Sequence, residues 1–282
     1  MTDYYAVIGN PIAHSKSPLI HAAFARQTGQ HMTYGRLLGS REDFAGSVRD
    51  FVAAGGRGLN VTLPFKQQAC ALLGDLTPRA AAAGAVNTIL VQDGGRLHGD
   101  NTDGVGLVRD LEQNLGLTLR GRRILLVGAG GAGRGVLPAL CAAAPAHLLI
   151  ANRTAATARA VAADLAPAVA GVALAGVGLE ALAGQRFDLL INATSAGLDG
   201  AVPALPADCI ASGGSVYDLF YSDTPTAFCR WGLAHGAVQV HDGLGMLVEQ
   251  AAESFFLWRG VRPQTAPVIA ALRARRAPAD PG

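Results

Sequence analysis

Of the 23 basic residues in this chain of 282, only two, Lys16 and Lys66, are lysines. Where arginine meets every other need for a cation, a retained lysine points to what arginine cannot supply: a compact amine able to lose its proton near neutral pH. Lys66 closes the segment Asn60-Val-Thr-Leu-Pro-Phe-Lys66, and a second segment, Gly99-Asp-Asn-Thr-Asp103, ends on a carboxylate. Both read as strand ends entering helices, the junctions where open α/β sheets hold ligands. An amine beside a carboxylate can share a substrate hydroxyl and move its proton, which hydride transfer to or from an alcohol carbon requires. Taken singly, Lys66 reads as a surface lysine and Asp103 as a helix N-terminal carboxylate.

A third segment supplies a redox partner. Gly128-Ala-Gly-Gly-Ala-Gly133 follows an apolar run at 123–127 and opens a helical pattern. In that context a G-x-G-x-x-G match reads as a dinucleotide fingerprint rather than a glycine-rich turn. Gly128 permits the tight turn, Gly130 lets backbone approach a pyrophosphate, and Gly133 allows close packing of helix on strand. The next strand ends in Asn152-Arg-Thr154, where an NAD site usually has a carboxylate for the ribose hydroxyl. Arg153 can instead pair with a 2′-phosphate, so the site favours NADP; the competing reading of Arg153 is an ordinary helix-start residue.

These segments need a scaffold that alternates strand and helix, and the whole chain does so, the signature of an α/β architecture with a largely parallel sheet. Strands are predicted at 4–9, 32–38, 58–62, 87–92, 96–100, 123–127, 147–151, 189–193 and 216–219. Helices are predicted at 17–28 with Ser17 as cap, at 43–54, from Pro64 and from Thr77-Pro78, and at 103–115 with Thr102 as cap. Further helices fall at 131–144, 154–165, 224–235, 244–259 and 267–275, with a Pro/Ala/Arg tail expected to fray.

Composition excludes several classes. Charged residues are 16% of the chain and apolar ones 50%, which rules out disorder. Apolar runs are broken too often for a spanning helix; the richest, 124–151, contains Arg134, Pro138 and Pro145. A net charge of +2 with dispersed arginines makes no nucleic-acid footprint. The first residues lack a basic-then-apolar leader pattern, so a cytoplasmic location is expected. Cys70, Cys141, Cys209 and Cys229 stand far apart with no Cys-x-x-Cys pair, supporting neither a disulfide framework nor zinc. No metal is expected: His14 has no second ligand at suitable spacing, and His21 reads as a packed or surface residue.

Taken together, the motifs closely resemble the shikimate dehydrogenase family. The matching stretches are Gly9-Asn-Pro-Ile-Ala-His-Ser-Lys-Ser-Pro18, Asn60 to Lys66, Ala83-Gly-Ala-Val-Asn-Thr88, Gly99 to Gly106, Gly128 to Gly135, Asn152-Arg-Thr154, Asn192-Ala-Thr-Ser-Ala-Gly197, Tyr217-Asp-Leu-Phe-Tyr221 and Asp242 to Gln250. The resemblance implies NADP-dependent, reversible reduction of 3-dehydroshikimate to shikimate, on the route to chorismate and aromatic amino acids, with Lys66 and Asp103 as the catalytic pair. It implies that Ser15 and Ser17, with Thr62 and Tyr221 nearby, bind the substrate carboxylate, and that Asn60, Asn87, Asp103 and Gln250 hold ring hydroxyls. Three of these have ordinary readings too: Ser17 as a helix cap, Asn87 as a strand end and Gln250 as a plain helical residue. Lys16, between the two serines, is assigned an electrostatic or loop-shaping role.

Cofactor contacts are implied at Gly128, Gly130, Gly131, Ala132, Gly133, Asn152, Arg153, Thr154, Thr194, Leu219, Gly243 and Met246. One departure from the family pattern bears on the cofactor: where a second basic residue often follows the Asn-Arg-Thr motif the chain has Thr157, with Arg159 two residues on. The expected architecture is an N-terminal α/β substrate domain (1–101 with 242–282) and a Rossmann-like, doubly wound nucleotide domain (102–241) with a cleft between. A small-molecule substrate, no nucleic-acid or membrane partner, and a monomer or homodimer are expected. The alternatives are a quinate/shikimate dehydrogenase that also uses NAD, and a catalytically silent protein that binds NADP or shikimate as a sensor.

Overall fold

The structure, a computed structural model, describes residues 2–169 and 171–275. The C-terminal tail expected to fray lies outside the described residues. Strands β1 (Asp3–Gly9), β2 (Met32–Leu38), β3 (Gly56–Val61), β4 (Thr88–Val91) and β5 (Leu97–Asp100) form a sheet in the order β2-β1-β3-β4-β5. The first three are parallel, and β4 and β5 add an antiparallel hairpin. Strands β6 (Arg123–Val127), β7 (His147–Asn152), β8 (Ala173–Gly178), β9 (Phe187–Asn192), β10 (Ile210–Asp218) and β11 (Gln239–Asp242) form a wholly parallel, Rossmann-like sheet in the order β11-β10-β9-β6-β7-β8. Strand order reverses at β6, whose neighbours are β7 on one side and β9 on the other. That reversal opens a ligand crevice at the carboxyl ends of β6 and β9.

Helices α1 (Ser17–Thr28), α2 (Phe44–Ala53), α3 (Lys66–Leu72) and α4 (Pro78–Ala83) belong to the first sheet. Helices α5 (Asp103–Arg109), α6 (Gly131–Ala142), α7 (Ala155–Leu165) and α8 (Ala227–Ala234) follow, then α9 (Leu244–Arg259) and α10 (Ala266–Ala274). Because side chains alternate along a strand, β6 feeds two cores: Ile124 and Leu126 pack on one face of the parallel sheet, Leu125 and Val127 on the other. Covering both faces requires the unbroken apolar run seen in the sequence. The first sheet packs its own core around Ile8, Leu59, Phe65 and Ile89. The chain crosses between sheets on α5 and returns on α9. A Cβ on Gly106 would come within 2.7 Å of Gln250 on α9, so glycine there lets the two crossing helices approach closely.

The structure revises several local expectations. Ser17 is the first residue of α1 rather than its cap: Lys16 holds the cap position, and the Ser17 side chain is turned to Ser15. Pro64 and Phe65 precede α3, which starts at Lys66. The predicted helix at 103–115 changes at Asp110 into a π-turn (Asp110–Asn114). Its expected cap, Thr102, bonds Asn87 instead, and Asn101 Oδ1 accepts the Asp103 amide at 3.1 Å. Strands β8 and β11 were not predicted. Both lie at sheet edges; β8 is rich in Ala and Gly, and β11 has only four residues, so neither carries a buried-strand pattern. Cys141, Cys209 and Cys229 are buried free thiols as expected, while Cys70 is half-buried.

Candidate active site

Strands β3 and β5 both point their carboxyl ends to the same edge of the first sheet, bringing Lys66 and Asp103 together from two separate junctions. Lys66 Nζ lies 2.5 Å from Asp103 Oδ2. The lysine side chain is 15% exposed and the aspartate 5%, so the pair is largely shielded from solvent rather than set on the open surface. The Lys66 carbonyl accepts the Val86 amide at 2.9 Å, and the fully buried Phe65 plugs α3 into the core. Asp103 Oδ1 accepts Asn87 Nδ2 at 2.8 Å, leaving its other oxygen to the amine.

Asn87 is the hub behind this pair. Its Oδ1 accepts the Thr102 amide and the Thr88 hydroxyl, both at 2.8 Å, which turns its Nδ2 toward Asp103 and toward Gln250 Oε1 at 3.3 Å. Asn60 is enclosed alongside: its Oδ1 accepts from the Tyr34 hydroxyl at 2.7 Å and its Nδ2 donates to Ser254 at 2.9 Å. Asn60, Asn87, Asp103 and Gln250 are all buried. An unpaired buried amide would cost about 1–3 kcal/mol, and this network leaves none of these four without a partner. Tyr34 is braced in turn by His21, whose ring stacks on it at 4.1 Å. His21 is wholly buried, and burial pushes its pKa down to about 3. It is therefore a packed, neutral histidine.

Ser15 and Ser17 follow β1 on the same sheet edge. The Ser15 hydroxyl donates to that of Ser17 at 3.2 Å, and Arg36 on β2 donates twice to the Ser15 carbonyl, at 3.1 and 2.6 Å. Thr62 is half-buried just past β3. Tyr221 lies on the loop after β10, packed against the core between α1 and α9, with the Lys16 ammonium 5.8 Å from its ring centre. His14 is exposed, and no group of His, Cys, Asp or Glu among the described residues is arranged to hold a metal ion.

At the crevice of the parallel sheet, Gly128 has a φ of +110°, a conformation that disfavours any side chain, and a Cβ there would press on Ala193 beyond β9. A Cβ on Gly133 would come within 2.2 Å of the Gly128 carbonyl oxygen, whereas one on Gly130 would meet nothing within 4 Å among the described residues. The loop is thus tightly folded on its inner side and open on its outer side, at the N-terminus of α6, where amide N–H groups favour an anion. Asn152 Oδ1 accepts the Ala129 amide at 3.4 Å, joining the loop to the end of β7. Arg153 and Thr154 are exposed beside it. Thr194, Leu219 and Gly243 follow the carboxyl ends of β9, β10 and β11, and Met246 lies in the first turn of α9. The two halves of the site meet: a Cβ on Gly131 would lie 3.7 Å from Lys66 Cβ, and one on Gly135 would lie 2.9 Å from Asp103 Oδ2.

Residues 7–89 match the shikimate dehydrogenase substrate binding domain, 110–198 shikimate / quinate 5-dehydrogenase, and 243–273 the shikimate 5′-dehydrogenase C-terminal domain. The chain is 59% identical to the shikimate dehydrogenase (NADP(+)) of Alkalilimnicola ehrlichii over 97% of its length and 99% of the relative's. It is 58% identical to that of Thioalkalivibrio sulfidiphilus, over 96% and 98%. The chain belongs to the shikimate dehydrogenase family. Among solved structures, the shikimate 5-dehydrogenase of Thermus thermophilus in complex with NADP(H) and shikimate superposes with a TM-score of 0.84 at 36% identity, covering 98% of this chain and 100% of that one.

The family resemblance seen in the sequence therefore holds over nearly the whole chain. Sequence reasoning missed the residues that orient the shikimate dehydrogenase cluster from behind: Asn101, which accepts the Asp103 amide, Ser254 beneath Asn60, and Tyr34. Asn101 was legible as part of the Gly99 to Gly106 motif. Ser254 and Tyr34 carry no local signal, since each acts only through a partner distant in sequence.

Proposed function

We propose that this chain catalyses the NADP-dependent, reversible reduction of 3-dehydroshikimate to shikimate, on the route to chorismate and the aromatic amino acids. The observation that carries this reading is the 2.5 Å contact of Lys66 Nζ with Asp103 Oδ2, directly beside the glycine loop. The open outer side of that loop, at a helix N-terminus, fits a dinucleotide pyrophosphate. Gly128, Gly130, Gly131, Ala132 and Gly133 would hold it, with Asn152, Arg153 and Thr154 on the adenosine end and Thr194, Leu219, Gly243 and Met246 along the crevice. Arg153 is exposed, which suits it to a 2′-phosphate. Bound NADP supplies the hydride acceptor or donor.

The protein's own residues would do the rest. Ser15 and Ser17, with Thr62 and Tyr221, bind the substrate carboxylate, since hydroxyl donors suit that group. Asn60, Asn87, Asp103 and Gln250 orient ring hydroxyls, with Asn60 itself held by Tyr34 and Ser254. In shikimate oxidation Lys66 accepts the proton of the C3 hydroxyl while Asp103 orients that hydroxyl; in reduction Lys66 returns it. The domain division that goes with this is 1–101 plus 242–282 for substrate and 102–241 for the nucleotide. We read the protein as a cytoplasmic monomer or homodimer acting on small molecules without nucleic acid, in keeping with its net charge of +2 and with the absence, among the described residues, of any helix long and apolar enough to cross a membrane. The test is absorbance at about 340 nm with shikimate and quinate against NADP and NAD. Turnover of shikimate with NADP well above every other pair is expected. Preference for quinate with NAD would replace this reading with the quinate-dehydrogenase alternative, and binding without turnover would indicate the silent sensor.

A further inference from the structure

Lys16, the second retained lysine, has no part in the chemistry above, yet its contacts are specific. Its ammonium bonds Asp223 Oδ1 at 2.8 Å, on the loop after β10 of the parallel sheet, and lies 5.8 Å from the ring of Tyr221 on the same loop. Lys16 itself sits between Ser15 and Ser17, on the edge of the other sheet. Its side chain is 25% exposed, whereas that of Asp223 is 73% exposed. The serine loop is held on its own side by Arg36 on the Ser15 carbonyl and by Asn10 Nδ2 on the Gly39 carbonyl at 3.0 Å. The Lys16–Asp223 pair therefore ties to the parallel sheet a loop already fixed to the first.

We propose that Lys16 and Asp223 are positioning residues forming a strap across the cleft, which holds the two serines and Tyr221 in register for a substrate carboxylate. This rests on the proposed function for the identity of that carboxylate. A carboxylate bound by Ser15, Ser17 and Tyr221 touches both ends of the strap, so bound ligand and closed strap stabilise each other. The opposite reading of the same pair is that Asp223 neutralises a lysine that would otherwise attract the carboxylate directly. The two readings predict effects of opposite sign.

The test is Asp223→Asn, Lys16→Gln, the double variant and the charge-swapped Lys16→Asp/Asp223→Lys enzyme, compared in the complete protein. The strap predicts that Asp223→Asn raises KM for shikimate about two- to fivefold, the size expected of a partly exposed ion pair, with kcat and KM for NADP unchanged. The double variant should be no worse than Lys16→Gln alone, and the swap should recover part of the loss. A fall in KM on Asp223→Asn, an unchanged KM, or additive effects in the double variant overturns the strap. A readout independent of substrate is amide hydrogen exchange in the unliganded enzyme: Asp223→Asn should speed exchange at both 10–17 and 219–226. Wild-type protein that fails to turn over shikimate would count against the proposed function alone. Exchange unaltered in both segments would count against the strap whatever the substrate.

Discussion

Replacing His21 by phenylalanine should remove an acid-sensitive weakness from the folded protein. His21 is wholly buried, stacked on Tyr34 and near Phe24, Phe255 and Trp258, and neither ring nitrogen has a hydrogen-bond partner among the described residues. Burial lowers its pKa from 6.5 to about 3, and the nearby Asn60 side chain opposes this only in part. Between those two values the unfolded chain binds a proton that the folded chain does not, so stability falls as the pH drops below 6.5. At roughly pH 4.5 this one group removes about 2–3 kcal/mol relative to neutral pH. Phenylalanine keeps an aromatic ring in the stack and does not titrate. Urea unfolding followed by tryptophan fluorescence from about pH 8 to 4.5 should show wild type losing that amount relative to His21→Phe. Parallel stability curves for the two proteins would refute the argument that this imidazole is held neutral by burial.

Two further outcomes follow from the binding residues. Arg153→Ala should raise KM for NADP by about 10- to 150-fold, the worth of a charge-assisted bond to phosphate, and barely alter that for NAD; equal effects on both would remove Arg153 from the 2′-phosphate site. Ser15→Ala should raise KM for shikimate over a similar range of about 10- to 150-fold, with kcat nearly unchanged, in steady-state assays; a drop in kcat alone would move the serine from binding to chemistry.

Much of this was legible in the sequence because the chemistry sits where strands end, and strand ends carry local signals. The apolar run of β6 followed by Gly128 to Gly133 fixed the crevice, and Asn60 to Lys66 and Gly99 to Asp103 fixed the catalytic edge. What stayed hidden depends on partners far apart in the chain. Thr102 looked like a helix cap until Asn87, fifteen residues earlier, took its hydroxyl. The helix continuing past Asp110 gives way to a π-turn where the buried Asp110 carboxylate accepts from Tyr217 at 2.6 Å, a contact spanning 107 residues. Edge strands β8 and β11 lack the buried alternation that betrays a strand, and Lys16 reveals its role only through Asp223 across the cleft.

The central claim is that the Lys66 amine, held against Asp103, moves the proton of the substrate hydroxyl. Its most direct test is kcat of Lys66→Ala for shikimate oxidation with NADP, on protein whose circular dichroism and melting temperature match the wild type. A fall of about 10²- to 10⁴-fold in kcat with a modest change in KM is expected. A Lys66→Ala enzyme turning over within a fewfold of wild type would contradict it.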